Sequence, residues 1–524
     1  MLKWLILVFA LTLAGCTKKK LEYGLELKDT IRLNIITEPP TMDWTKMHDS
    51  SSHIISINLM EGLTGIDYTN PELPVKPQLA TEWSTLDGRV WTFALRKGVK
   101  WSDGVELTAQ HVLDGIERLL NAKTASPYSY LLFPLKNGEA YFKGTVKDFS
   151  QVGVKVNAKG QIVFELVKPI SYFPYIIGHQ ATYPVRKDII AKYGEDKWAD
   201  AGRMVTLGPY NLKVWDHDKN IVLERNEDYY GEKAKTKNVL AYMIADYSTA
   251  VNLYHANVID FQEQLPFTEV KAMKGVPGFK QKLTVGLIYY GFNTTKPPFN
   301  NKKVRQAFVL GVDRKQLTDV LAAGQAPLAS MVPPGSFGYD PNVGLKFDLK
   351  RANQLLDEAG FKDRSQVPHV VIGYNTDENN QRIAENIQAQ IKKNLGIEAE
   401  IVHEEWKSYL AHLTADAPSI FRLGWIADFP DPDTFLGIFL SNSENNHTKF
   451  KSKEFDALVE QGASEMNKEK RRAIYLKAQK LLCEDEVPAM PLYVQAYNQL
   501  ISPRLKDFPF NALERLDVRD TSIP

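Results

Sequence analysis

Residues 79–112 read LATEWSTLDGRVWTFALRKGVKWSDGVELTAQHV, and the turn signals inside this run fix its local geometry. Val90 to Arg96 alternates as a half-buried strand does, Lys97-Gly98 turns it, a short return ends at Trp101, and Ser102-Asp103-Gly104 turns again. Thr108 stands where an N-cap belongs, ahead of a helix from Ala109 that carries Val112, Ile116 and Leu119 on one face. Taken alone, strand, turn, strand, turn, helix is an ordinary α+β unit. Outward from it, strand-rich and helix-rich stretches alternate with no internal repeat, which predicts α/β or α+β lobes.

The clearest βαβ unit begins at His369. Val370, Val371 and Ile372 predict a buried strand leading to Tyr374-Asn375. Ile383, Ile387 and Ile391 mark a helix that Gly396 closes, and Ile397, Ala399 and Ile401 alternate with Glu398 and Glu400 in the next strand. A third apolar strand runs from Ile420 to Ile426, with Asp428 just past its carboxyl end. Ligands of open α/β sheets gather beyond the carboxyl ends of the strands, so Tyr374, Asn375, Trp406 and Asp428 are expected around one cleft.

The amino end is of another kind. Lys3 is the only charged residue before Cys16, residues 2–13 are nearly all apolar, and Leu13-Ala14-Gly15-Cys16 follows. An apolar run of about a dozen residues is too short to span a bilayer of about 30 Å, so residues 1–16 read as a signal peptide. Its last four residues resemble a lipobox, which implies lipidation of Cys16, a membrane anchor, and a stalk over residues 17–29. Cys483 is the only other cysteine, so a lipidated chain has no internal disulfide and must draw its stability from its core.

Of 524 residues 44% are hydrophobic, enough for more than one folding unit. With 64 basic against 63 acidic residues the chain lacks the basic excess of a nucleic-acid binder, and no nucleic acid is expected as partner. The motifs G-x-S-x-G, H-E-x-x-H and C-x-x-C and a glycine-rich phosphate loop are all missing, so neither enzyme chemistry nor a cofactor or metal is expected. His403-Glu404-Glu405 lacks the second histidine of a zinc helix, and His48 and His53 read as surface residues.

The spelling of the opening run says more than its periodicity. Ala80-x-x-Trp83, Phe93-x-Leu95-Arg96-Lys97-Gly98-Val99, Trp101-Ser102-Asp103-Gly104 and Thr108-Ala109-x-x-Val112 follow one another. Later blocks are Gly208-Pro209-Tyr210, residues 221–230 (IVLERNEDYY), residues 289–305 (YYGFNTTKPPFNNKKVR) and residues 424–432 (GWIADFPDP). Together they resemble the family 5 extracellular solute-binding proteins, the peptide receptors of bacterial ABC importers, over residues 31–501.

The resemblance implies a periplasmic-binding-protein-like fold of two hinged lobes with an extra inserted α+β domain. Domain I would join residues 30–60, 187–285 and 496–524; domain II would be 61–186 and domain III 286–495, with hinge crossings near Gly286 and Gln495. It also implies a site. Asp428, the aspartate of the G-W-x-A-D block, would hold a peptide's α-ammonium. An extended peptide would pair as an added strand with residues 424–426, Gly424 and Ile426 included, and with the segment around Ser50 to Ser52. Trp406 and Trp425 would line side-chain pockets, Tyr128 would close over the ligand, and Tyr289 would stand on the cleft wall. Arg422 would meet the ligand carboxylate, while Leu413 and Asn380 replace a second arginine and a histidine, and His48 an acidic residue, at cleft positions of the family. Gly286 and Ile426 stand where some relatives form a disulfide.

The function expected on this basis is a monomeric, lipid-anchored receptor, exported to the periplasm or cell surface, that captures short peptides for an ABC permease and its ATPase. The alternatives are a murein-peptide receptor and a peptide-sensing receptor without transport.

Overall fold

The computed structural model describes residues 20–70, 73–513 and 515–524. The signal segment and Cys16 lie outside the described residues.

The opening run folds around a hairpin that its turn signals only half announce. Val90–Leu95 pairs antiparallel with Ala80–Thr85, upstream of it, and with Ile162–Glu165, which pairs in turn with Val154–Val156. The return expected to end at Trp101 is a single bridge between Lys100 and Glu106. Gly104, at φ 87°, turns the chain so tightly that the Trp101 amide already reaches the Val105 carbonyl at 2.8 Å. The helix is Ala109–Leu120 with Thr108 as N-cap, and the His111 ring accepts the Thr108 amide at 3.2 Å. Val112, Ile116 and Leu119 are fully buried against the small sheet.

One large sheet spans the rest of the molecule. Among the described residues its strand order is Ala399–Glu404, Val370–Asn375, Ile420–Ile426, Phe279–Phe292, Ala489–Ile501, Phe261–Gln262, Thr30–Asn34, Asn238–Tyr242, Asn220–Arg225, Tyr210–Asp216. The βαβ unit is as its periodicity predicts. Val370–Asn375 and Ala399–Glu404 are parallel, joined by Glu378–Leu395, which Asp377 caps and left-handed Gly396 ends. Ile383, Ile387 and Ile391 form its buried stripe.

Two long strands, Phe279–Phe292 and Ala489–Ile501, run antiparallel through the middle and belong to both halves of the sheet. Their register breaks between Leu283 and Leu287, opposite Ala496 and Val494, where Thr284 donates to the Gln495 carbonyl at 3.2 Å. An irregularity in a ladder that joins the halves is where bending disrupts few hydrogen bonds. The largest apolar cluster joins residues 31–63 to the small sheet and reaches Phe429 and Ala463, and two others lie mostly within residues 285–494.

Two expectations change. Residues 20–29 are not an extended stalk. They form short turns at Glu22–Gly24 and Leu27–Asp29, and Asn220, Asp216 and Arg504 bond to Glu22, Tyr23 and the Leu27 carbonyl. Ser50 to Ser52 are not extended either. They open the helix Ser50–Leu59, where Asp49 accepts the Ser52 amide at 2.9 Å, so this segment cannot supply a strand ladder.

Candidate functional site

A cavity of about 410 Å³ opens between the halves of the large sheet, with Tyr128 and Gln180 also on its wall, within the range of roughly 300–1,000 Å³ usual for sites that enclose a small ligand. Its wall holds Asp428, Arg422, Trp406, Trp425, Tyr128, Gly424, Ile426, Ser50, Asn380 and Tyr289, ten of the positions expected to face a ligand. Of the residues expected around the cleft by strand position, Asn375 lines it and Tyr374 does not. Tyr374 is buried and faces His403, 5.6 Å between rings. Leu413 is fully buried in the core behind the cleft. His53 is no surface residue. It is buried at the cleft, and burial, with Arg515 and His179 nearby, holds its pKa well below the usual value.

The strand Ile420–Ile426 supplies the backbone of the site. It pairs antiparallel with Phe279–Phe292 along its whole length, but with Val370–Asn375 only at Ile420 and Phe421. Its second edge is therefore open from Arg422 onward. The Ala427 amide bonds the Val285 carbonyl and the Asn293 amide bonds that of Ser419, which sets the paired rungs at odd-numbered residues of this strand. Arg422, Gly424 and Ile426 thus turn their main-chain groups to the open edge. The Tyr409 hydroxyl takes the Arg422 carbonyl at 2.9 Å, and Gly424 and Ile426 face the cavity.

At one end of this edge stands Asp428. Its Oδ2 accepts the Thr434 hydroxyl at 3.1 Å, and its own amide donates to that hydroxyl at 3.0 Å, so half of the carboxylate fixes the turn into the helix Asp433–Leu436. The other oxygen lies 3.4 Å from His179 Nε2 and 3.8 Å from Arg515 Nη2. Behind it a small cavity of about 40 Å³ is lined by Asp428, Asp517, Glu61 and the single arginine Arg515. Lys76 lines it too, so three carboxylates face two basic side chains, an excess that suits an added cation. Tyr128 packs between His179 and Trp425, with ring centroids at 4.3 and 6.5 Å. Its phenol is pushed well up, chiefly by burial and then by Asp428.

At the other end stands Arg422. Its Nη1 donates to the Asn375 side chain at 3.2 Å, its buried Nε has no partner, and among the described residues no carboxylate forms an ion pair with it. Asn380 donates to the same Asn375 oxygen at 3.1 Å. A half-buried guanidinium with spare donors is matched to a carboxylate or phosphate. Tyr289, buried in the long strand beside Phe439, and Trp406, at the start of the helix Trp406–Asp416, complete this wall.

Sequence reasoning misses Arg515, His179, Tyr247 and Glu263, which all line one of these two cavities. They come from distant segments without motif spacing, so only the fold brings them together.

The description "Bacterial extracellular solute-binding proteins, family 5 Middle" matches residues 74–447. The chain belongs to this family. Relatives match this family 5 solute-binding protein over nearly their whole length: the oligopeptide-binding protein OppA of Bacillus subtilis (strain 168) is 32% identical over 517 residues, covering 93% of each chain. Among solved structures, a periplasmic oligopeptide-binding protein from Borrelia burgdorferi superposes with a TM-score of 0.89 at 30% identity, covering 95% of this chain and 100% of that one. The Escherichia coli murein tripeptide-binding protein MppA gives 0.89 at 29% identity, covering 95% and 99%. Its unliganded open form gives only 0.66 at 30% identity, covering 95% and 98%. The lobes of this family 5 protein are therefore set unlike those of the open form. Contacts across the cleft agree: Asn445 donates to the Pro127 carbonyl at 3.2 Å, Tyr172 stacks on Phe429 at 5.5 Å, and Tyr247 bonds Asp377.

Proposed function

We propose that the protein is a receptor that captures short peptides between its lobes and hands them, chemically unchanged, to an ABC permease and its ATPase. The observation that carries this reading is the open strand edge at Gly424 and Ile426, flanked by a carboxylate, Asp428, and by an unpaired guanidinium, Arg422. A peptide offers the complement in the same order: an ammonium, a ladder of amides and carbonyls, and a carboxylate. The edge recognises the main chain alone, so side chains are free to vary. Relatives named as oligopeptide-binding proteins support the reading. Likeness to a murein tripeptide-binding protein supports a second one, a murein-peptide receptor, which would share the Asp428 end and differ at the carboxylate end.

Native mass spectrometry tests the proposal. Protein purified without denaturation and then offered a mixture of di- to hexapeptides should carry intact peptides that unfolding releases. Retention of non-peptide solutes alone would overturn it, and release of cleaved fragments would indicate a hydrolase.

We further propose export and anchoring through lipidated Cys16, in the periplasm or at the cell surface, as a monomer. No helix of the described residues is long and apolar enough to cross a membrane. Cys16→Ser should move the protein from the membrane to the soluble fraction with its peptide binding intact. A variant still membrane-bound in high salt would contradict the anchor.

A further inference from the structure

The described residues include seven buried residues with carboxylate side chains, and six of them have partners. Asp43, Asp260 and Asp431 pair with Arg118, Arg32 and Arg471, and Asp114 with Lys187. Asp49 accepts from Ser52, and Glu61 accepts the hydroxyls of Tyr229 and Tyr230. Glu263 is the seventh. Only 5% exposed, it has no hydrogen bond or ion pair among the described residues, and it lines the main cavity. Burying a carboxyl without a partner is costly, and the six paired examples show how this fold otherwise avoids that cost.

The position of Glu263 follows from its neighbours. It comes directly after the short strand Phe261–Gln262 and lines the same cavity as Arg422. Tyr247 lies between the two: its phenol bonds Asp377 and feels the charges of both Glu263 and Arg422. The cleft wall around Arg422 and Trp406 therefore holds three carboxylates, Asp377, Glu263 and Glu405, against one guanidinium, and Glu405 is taken up by the Lys407 and Ser408 amides. Asp377 is occupied by Tyr247 and by the Asn380 amide at 2.8 Å, while Glu263 has nothing to hold. The imbalance is toward negative charge even after a ligand carboxylate has met Arg422.

We infer that Glu263 is the acceptor of a subsite for a cationic ligand side chain, lysine- or arginine-like, near the carboxyl end of a bound peptide. This inference rests on the peptide reading. It adds selectivity to a cleft whose backbone contacts are indifferent to sequence, because a ligand with a neutral side chain here leaves Glu263 unpaired, whereas a cation satisfies it. It is distinct from the Asp428 end, which is reserved for the main-chain ammonium.

The test is a positional scan by calorimetry. Tetra-alanine is compared with tetrapeptides carrying lysine, or norleucine as a neutral side chain of similar length, at each position in turn. At a position in the carboxyl-terminal half, wild type should prefer lysine over norleucine by tenfold or more. Glu263→Gln should bring that ratio to within about twofold, and Glu263→Asp should restore part of it. A lysine-to-norleucine ratio near one at every position overturns the inference, as does a preference that survives in Glu263→Gln. In both cases binding of tetra-alanine leaves the peptide reading standing. If no tetrapeptide binds wild type at all, the inference and the reading beneath it both fall.

Discussion

Asp428 divides its oxygens between fold and cleft, and that division explains why its sequence context is ambiguous. Pro430 and Pro432 suit a capped turn, and Thr434 indeed occupies Oδ2, yet Oδ1 faces His179 and Arg515. The G-W-x-A-D spelling makes Asp428 visible, while Arg515 lies 87 residues downstream in a tail without periodicity. Glu263 is equally invisible in sequence, because its isolation is a fact of packing. It has a measurable consequence. Burial raises its carboxyl from 4.5 to about 7, so between those values the folded protein keeps a proton that the unfolded chain has released. Stability contributed by this group is therefore lost as pH rises through that window, and the penalty is complete above pH 7. Glu263→Gln cannot show this loss. Chemical denaturation of the ligand-free proteins at pH 5 and pH 8 should show wild type losing about 2 kcal/mol more than Glu263→Gln. An equal change in both proteins would mean that Glu263 is ionised at no cost, and hence has a partner.

Among the elements, the strand Ile420–Ile426 matters most, and its existence and bounds are legible from its apolar run. What periodicity cannot convey is that Val370–Asn375 parts from it after Gly373 and leaves Gly424 and Ile426 with an open edge. Register depends on neighbours, and neighbours follow from topology. The same limit explains Ser50 to Ser52. Three serines suit an extended segment as well as a helix start, and Asp49 decides for the helix by accepting the Ser52 amide. An open edge makes a periodic demand on its ligand, since alternate amides of an added strand point to the edge and away from it. Single N-methylation along tetra-alanine should therefore weaken binding at alternate positions, by about tenfold where a hydrogen bond near 1 kcal/mol is lost along with its fit. Equal losses at all positions, measured by calorimetry, would show that the ligand does not lie as a strand.

At the scale of the whole molecule, two long strands carry the sheet from one half to the other, and their shared irregularity at Leu283 to Leu287 lies beside the cleft. Rigid halves joined by a pliable ladder can close over a ligand, and only ligand contacts made in the closed arrangement can drive that closure. Lobes set unlike those of the open relative, with Tyr172 on Phe429 and Asn445 on Pro127 across the gap, fit this picture. Family membership is legible because short blocks such as Trp101-Ser102-Asp103-Gly104 keep their spelling. The geometry of the site is not legible, because its residues come from segments spread between Ser50 and Arg515. The central claim is that the closed cleft holds a peptide by its charged amino end. Calorimetry of ligand-free wild type and Asp428→Asn with tetra-alanine and N-acetyl-tetra-alanine tests it most directly. Wild type should bind the free peptide one to one and at least tenfold more tightly than the acetylated one, with the difference largely gone in Asp428→Asn. Equal affinity of wild type for both peptides would contradict the claim.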